Sequence, residues 1–305
     1  MVTTAANKKQ KKGLFRPTPG ERAFDVFNAV FLVLLCIVTI YPMYYVVSAS
    51  LSNNIALLTS PGFLPYPRGF NTNAFRLALT HPLLLSGYKN ILLVLAGSLP
   101  INILLTLFCG YFMASKGLLL KKPILGIIMF TMFFSGGMVP IYLNITSLGL
   151  KNTLWSLILP SALSIYNSII CKTAIEAIPD SLQESAYIDG ANDIVIVFRI
   201  VFPLIMPTIA VLLLYYGVAQ WNSWFPASLY ISDRTKLPIQ NILRAVLVAN
   251  SDILNAAATA NDQVNDFAET IKYAAIVITT VPVLCIYPFL QRYFVKGVMI
   301  GAVKG

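Results

Sequence analysis

Apolar positions in this chain run in long blocks, not in the alternation of a half-buried strand or the single stripe of a water-facing helix. Mostly apolar stretches occupy 24–48, 88–114, 123–145, 152–174, 201–222 and 271–291. Each reaches the roughly 20 residues that an α-helix needs to cross a bilayer. The pattern predicts an all-α, polytopic membrane protein with six transmembrane helices. A basic tail, 1–23, precedes the first block as it would in a secretory signal. That block, however, is far longer than the ~7–15 apolar residues of a signal, and it is read as an uncleaved first helix. The organisation expected is a tail over 1–23, a six-helix domain over 24–291 and a second tail over 292–305.

Composition strengthens this picture. The chain is 57% hydrophobic and 11% charged, with mean hydropathy +0.74. Ordinary soluble domains are roughly 45–50% apolar and about 25% charged, so this chain lacks the charge to cover a water-facing surface. The net charge of +10 raises the question of nucleic acid. Its basic residues sit instead at the edges of apolar blocks, as in Lys8-Lys9, Lys11-Lys12 and Lys121-Lys122. That is a topology signal, not a phosphate-binding face, and it argues against a nucleic-acid partner. The four cysteines, Cys36, Cys109, Cys171 and Cys285, lie in separate apolar stretches without metal-ligand spacing, and the single histidine is His81. They are expected to be small buried hydrophobes, with no metal or cofactor held by this chain.

Charge also orients the spans. Lys8, Lys9, Lys11, Lys12, Arg16 and Arg22 precede the first, Lys116, Lys121 and Lys122 follow the second, and Arg292, Lys296 and Lys304 follow the sixth. By the positive-inside rule both termini are cytoplasmic, and 49–87, 146–151 and 223–270 face outward. Pro100, Gly136-Gly137, Pro140 and Pro160 interrupt the spans and mark kinks or a cavity lining. No acid or base stands mid-span, which disfavours an ion-coupled carrier.

One cytoplasmic connection, 175–200, departs from the rule. Of the 12 acids in the chain, Glu176, Asp180, Glu184, Asp189 and Asp193 crowd into it. Asp180-x-x-Gln183 and Ser181-x-x-Glu184 have capping-box spacing, so part of the cluster serves a helix start after Pro179. Leu182, Ala186 and Gly190 fall on one helical face whose small residues would allow close approach of another body. Gly190 is expected to end that helix in a left-handed turn, with Asn192 capping a second. The remaining acids would face a basic soluble partner.

Glu184-Ser185-Ala186, then Gly190 after three residues and Ile200-x-Phe202-Pro203 after nine more, resembles the EAA loop of ABC importer permeases, E-A-A-x-x-x-G-x9-I-x-L-P. Ser185 and Phe202 are mild departures from it. Asp189-Gly190-Ala191, WNSWFP at 221–226 and YPFLQRYFVKGVMIGAVKG at 287–305 are similar to the carbohydrate-importing, maltose-type branch and its LplC-like group. The resemblance covers nearly the whole chain. It implies the type I permease fold and a place in a bacterial-type cytoplasmic membrane. It implies a coupling interface at Glu184, Ser185, Ala186, Asp189, Gly190, Ala191 and Pro203. It also implies partners: a second, related permease, two ATPase subunits that bind ATP and Mg, and an extracytoplasmic solute-binding protein. The chain has no G-x-x-x-x-G-K-[ST] loop and no catalytic constellation, so it is expected to be no enzyme itself.

The outward segment 223–270 contains Ile239, Ile242, Leu243, Val246 and Leu247 at helical spacing after Pro238, which predicts a short amphipathic helix. The polar run from Asn250-Ser251-Asp252 through 255–266 reads either as a solvated loop or as a docking surface. A carbohydrate wants hydrogen-bonding groups beside flat apolar faces. Tyr142, Asn144, Asn167, Tyr216, Gln220 and Asn222 are the candidates at span depth, and each could equally anchor an interface or bond a neighbouring helix. Rival readings are a permease for an amino acid or peptide and, further off, a secondary carrier.

Overall fold

The computed structural model describes residues 18–59, 62–80, 82–248 and 268–302. The expectations for Lys8, Lys9, Lys11, Lys12, Arg16, His81, 250–266 and Lys304 lie outside the described residues. Three helices are long: α1 (Pro19–Ser50), α4 (Pro82–Ala114) and α14 (Ala268–Ala302). Between the first two come α2 (Asn54–Thr59) and α3 (Asn73–Thr80). α1 opens with a capping box, Thr18 with Glu21. It then runs with nearly every side chain exposed until Ser48, Ala49 and Ser50. Only lipid or a second apolar body suits such a helix.

The other apolar blocks are broken. α5 (Lys121–Phe133) and α6 (Met138–Ser147) meet at a 110° bend across Gly136-Gly137. Pro140 does no harm there, because it falls in the first turn of α6, whose N–H groups lack helical partners anyway. The span expected over 152–174, with its kink at Pro160, is broken outright. α7 (Trp155–Ile158) ends before Pro160, and α8 (Ile165–Glu176) restarts after Ser164, whose hydroxyl accepts from Asn167 N–H. At 1.5 Å per residue α8 alone is about 18 Å long, short of a bilayer core. α9 (Asp180–Ile188) leads to α10 (Asp193–Leu204), whose stretch Val197–Val201 is wound as π-helix, and an 85° bend precedes α11 (Met206–Trp221). Pro100, by contrast, sits inside an unbroken α4. α12 (Phe225–Tyr230) and α13 (Ile239–Val248) complete the described elements, and α13 is the amphipathic helix expected after Pro238. By length and composition α1 and α4 can each cross a membrane, and the two bent pairs would make four.

α4 is the central strut. It packs against α3, α7, α8, α11 and α13, while α1 lies mainly on α14. One face of α4 repeats every fourth residue, through Asn90, Val94, Ser98, Asn102 and Thr106, all buried. Asn90, at one end, donates from Nδ2 to the carbonyls of Thr235 (2.7 Å) and Leu237 (3.1 Å). That end also gathers Tyr45 against Tyr273, and Asn152 bonded to Tyr230, Ser232 and Asp233. At the other end Tyr111 and Lys116 meet α9 and α10. The largest core joins that end to the middle of the molecule, from Ile178 and Ala186 through Ile196, Val201 and Ile209 to Tyr216.

Of the cysteines, only Cys171 is buried. Cys36 and Cys285 are exposed on apolar helices, where a thiol behaves as one more small hydrophobe. Cys171 lies where α8 comes close against Gly110 of α4. A Cβ added at Gly110 would lie 2.9 Å from Cys171 Cβ and Sγ and 3.2 Å from Lys172 N, whereas one at Gly126 meets nothing within 4 Å. Alanine favours an exposed helix over glycine by about 1 kcal/mol, so sterics decide the sign at each site. Gly110→Ala should destabilise the detergent-solubilised protein by about 1–3 kcal/mol. Gly126→Ala should leave it unchanged or firmer, both read from thermal unfolding midpoints.

Candidate functional site

Two places on the chain concentrate polar chemistry. The first is the acidic connection. α9 begins at Pro179 without a side-chain cap, so neither expected capping box forms. Asp180 lies inside the first turn, and Lys116 Nζ donates to its carboxylate at 2.5 Å. The same bond holds the Lys116 ammonium above its ordinary pKa. Both groups are well exposed, so the pair orients the helix more than it stabilises it. At the far end Gly190 has φ +82°, Gly190 N–H reaches Tyr187 C=O (3.0 Å) and Ala191 N–H reaches Ala186 C=O (2.9 Å). This is the Schellman ending that only glycine adopts without strain. Asn192 Oδ1 then accepts from Val195 N–H at 2.9 Å and starts α10.

The acids divide by partner. Glu176 pairs with Lys172 (3.3 Å) and Asp180 with Lys116. Asp193 Oδ1 accepts from the hydroxyls of Tyr187 (2.5 Å) and Tyr111 (3.0 Å), which stand 3.1 Å apart. The bond to Asp193 raises the Tyr187 pKa, keeping it a neutral donor. Glu184 and Asp189 remain exposed, as do Ser185, Gly190 and Pro203. Ala186 is buried in the chain's own core, and Ala191 packs beside it. The expected face of Leu182, Ala186 and Gly190 is therefore split, because the Schellman turn carries Gly190 off the helix and leaves Leu182 exposed. A cleft of ≈ 680 Å³ opens between α9 and the end of α4, lined by Tyr111, Lys116, Glu176, Asp180, Gln183 and Tyr187.

The second place is the break between α7 and α8. Proline and bent backbone leave main-chain groups without helical partners, and neighbouring side chains take them up. Asn102 Nδ2 donates to Ser161 C=O at 3.1 Å, Gln220 Nε2 to Leu157 C=O at 3.0 Å, and Ser164 N–H to Tyr216 Oη at 3.0 Å. Tyr216 Oη is also paired with Thr106 Oγ1 at 2.6 Å. Asn102, Ser161, Ser164, Tyr216 and Gln220 wall a cleft of ≈ 760 Å³, which also exposes the rings of Tyr166 and Tyr215.

Of the sequence-predicted solute contacts, Asn167, Tyr216 and Gln220 line this one cleft. Tyr142 does not: it stacks on Tyr230 at 6.1 Å and accepts from Lys151 Nζ at 2.7 Å, at the end of the molecule near Asn152. Asn144 is exposed on α6, and Asn222 bonds its own helix at Val218 C=O. Asn102, Ser161 and Thr106 were not expected, although Asn90, Ser98, Asn102 and Thr106 are legible as a polar stripe with a period of four. Among the elements near Asn90, Arg244 lies 3.7 Å over the Trp224 ring and Asn241 Nδ2 donates to Trp224 C=O at 2.8 Å. These contacts fasten α13 to α12.

Comparison with known proteins joins these features. Residues 102–300 match the family described as the inner membrane component of binding-protein-dependent transport systems. The chain is 37% identical over 288 residues to the polygalacturonan/rhamnogalacturonan transport system permease protein YtcP of Bacillus subtilis (strain 168), covering 93% of this chain and 99% of that one. It is 38% identical to protein LplC of the same organism, covering 94% and 97%. In the crystal structure of a bacterial ABC transporter involved in the import of the acidic polysaccharide alginate, one chain superposes with a TM-score of 0.82. That chain is 28% identical, over 91% of this chain and 98% of its own length. A family match over most of the chain and relatives of this identity leave one conclusion: the chain belongs to the inner membrane permease components of binding-protein-dependent ABC transport systems.

Proposed function

We propose that this permease carries an oligosaccharide inward across a bacterial cytoplasmic membrane, as one of two related membrane subunits driven by two ATPase subunits. In this reading the chain crosses the bilayer six times, over about 24–48, 88–114, 123–145, 152–174, 201–222 and 271–291, with both termini and the 175–200 loop cytoplasmic. The 146–151 and 223–270 segments face an extracytoplasmic binding protein. ATP and Mg belong to the partner ATPase, and the chain brings no cofactor of its own. The polygalacturonan/rhamnogalacturonan permease YtcP and the alginate importer, to which this chain is similar, support a saccharide substrate.

The observation that carries the coupling role is the geometry of 180–196. Glu184 and Asp189 stand exposed beside a glycine turn, while the helix beneath them is fastened at both ends, Asp180 to Lys116 in the loop after α4, and Tyr187 to Asp193, which Tyr111 of α4 also bonds. A partner that grips Glu184, Ser185, Asp189 and Gly190 from the cytoplasm moves more than a loop. Through Ala186 and Ala191 it moves the core that continues to Tyr216 at the solute cleft. Closure of the ATPase pair would draw two such helices together and rock the permease bundles about the cleft, opening it outward; hydrolysis would reset it.

Two outcomes test this. A side chain at Gly190 meets nothing in this chain within 4 Å, so a defect there reports on backbone strain or on a docked partner. Gly190→Glu should leave membrane abundance intact and abolish ATP-driven uptake, whereas Gly190→Asn, better suited to positive φ, should keep most of it. Normal uptake by Gly190→Glu would sink the coupling role. Tyr111→Phe combined with Tyr187→Phe removes both donors to Asp193. Bonds to a charged acceptor are worth about 1.5–3 kcal/mol, discounted here for exposure. Amide exchange over 180–196 should therefore quicken about tenfold, with α4 unchanged, as measured by mass spectrometry.

A further inference from the structure

Two tyrosines of the cleft between α4, α8 and α11 bond nothing in the chain. Each adjoins a residue that is held: Asn167 is buried near the start of α8, and Tyr216 is bonded to Thr106 and to Ser164 N–H. Adjacent side chains on a helix point about 100° apart, so burial of one leaves the other on the open side. Tyr166 is accordingly 57% exposed and Tyr215 41%, and both line the cleft. Among the described residues neither ring stacks on another aromatic and neither hydroxyl has a hydrogen-bond partner.

Their depth narrows what they can face. Asn102 and Thr106, well inside α4, bond Ser161 and Tyr216, so the cleft lies away from either end of that strut. A tyrosine that anchors a helix at the membrane surface keeps its hydroxyl in the headgroup layer. At this depth hydrocarbon would leave the phenol unpaired, so the open side of the cleft suits water and a solute better than lipid. No residue lining it is charged. Gln220 and Ser161 direct their polar groups at one another and at Leu157 C=O. What remains for a solute is chiefly the flat apolar area of two rings. A pyranose fits such a surface, because the C–H groups on one face of the sugar lie against the ring while its hydroxyls stay hydrated at the side. Contacts of this kind are weak, as a site of passage requires. We infer that Tyr166 and Tyr215 are stacking platforms for the sugar unit passing through this cleft, acting through their rings and not their hydroxyls. The inference rests on the carbohydrate reading above and adds the residues and the face of the ligand that they hold.

The test uses the whole transporter, with its permease partner, ATPase and binding protein, in proteoliposomes. The probes are radiolabelled raffinose, trigalacturonate and trialanine, taken up at saturating ATP. Tyr166→Phe and Tyr215→Phe keep the ring, whereas Tyr166→Leu and Tyr215→Leu keep an apolar side chain and lose the flat face. None of the four removes a bond across the break between α7 and α8. For the sugar that the wild type carries, each leucine variant should lose about fivefold in uptake, the scale of one ring contact. Each phenylalanine variant should stay within about twofold of the wild type. Hydrolysis stimulated by the loaded binding protein, membrane abundance and co-purification of the partner permease should be retained by all four. Wild-type uptake by either leucine variant overturns the inference alone. So does an equal loss in the phenylalanine and leucine variants, which would make the hydroxyls the contact. Loss of abundance or of the partner permease from the leucine variants also overturns it, since the rings would then pack the permease pair. Wild-type uptake of trialanine and of neither sugar sinks the carbohydrate reading, and this inference with it.

Discussion

The break between α7 and α8 holds the key constraint of this fold. A helix that stops at Pro160 and restarts after Ser164 leaves carbonyls and an N–H with no helical partner, and hydrocarbon offers none. Three side chains answer from two other helices: Asn102 from α4, and Tyr216 and Gln220 from α11. Because those bonds must be made, α4, α8 and α11 have to meet at this point. Their meeting leaves a polar cleft inside an otherwise apolar molecule. The same requirement explains why α4, apolar over most of its surface, carries asparagine, serine and threonine along one buried face.

From that junction the structure runs in two directions. Toward one end, Asn90 secures the segment around Thr235 and Leu237, on which α13 rests. Toward the other, the core built on Cys171, Val201 and Ile209 ends at Ala186 on the acidic helix. Dispersion contacts in such a core transmit displacement because close packing leaves little room to give. The tyrosines and Lys116 add a polar fastening at the edge, where water would otherwise loosen the short helix. In the proposed cycle this continuity lets a partner at the acidic helix reshape a cleft tens of residues away in sequence.

The acidic cluster has a different explanation from the one its spacing suggests. Asp180, Glu176 and Asp193 have partners within the chain, so less of the negative charge than the sequence displays is available to an outside body. Glu184 and Asp189 are what remains, and they precede the turn at Gly190, whose positive φ suits glycine. Capping-box spacing was present at Asp180 and Ser181, yet the helix starts one residue earlier, with Pro179 as its cap, so both lie inside the first turn and Asp180 is free to pair with Lys116.

The chain alone determined its class, its blocks of apolar residues, the turn at Gly190 with the Asn192 cap, the amphipathic helix after Pro238, and its family. All of these depend on interactions within a few residues, or on the mean polarity of a stretch, and so are written locally. It also held the four-residue polar period of α4, which hydropathy averaging hides. Only the tertiary structure decided that the interruption at Pro160 is a full break bridged by other helices, that Ala186 turns inward, and that Asn167, Tyr216 and Gln220 share a cleft from which Tyr142, Asn144 and Asn222 are absent. The physical reason is that a mid-helix polar side chain declares a need for a partner but not which one. That choice rests on where a distant stretch of backbone has lost its own hydrogen bonds.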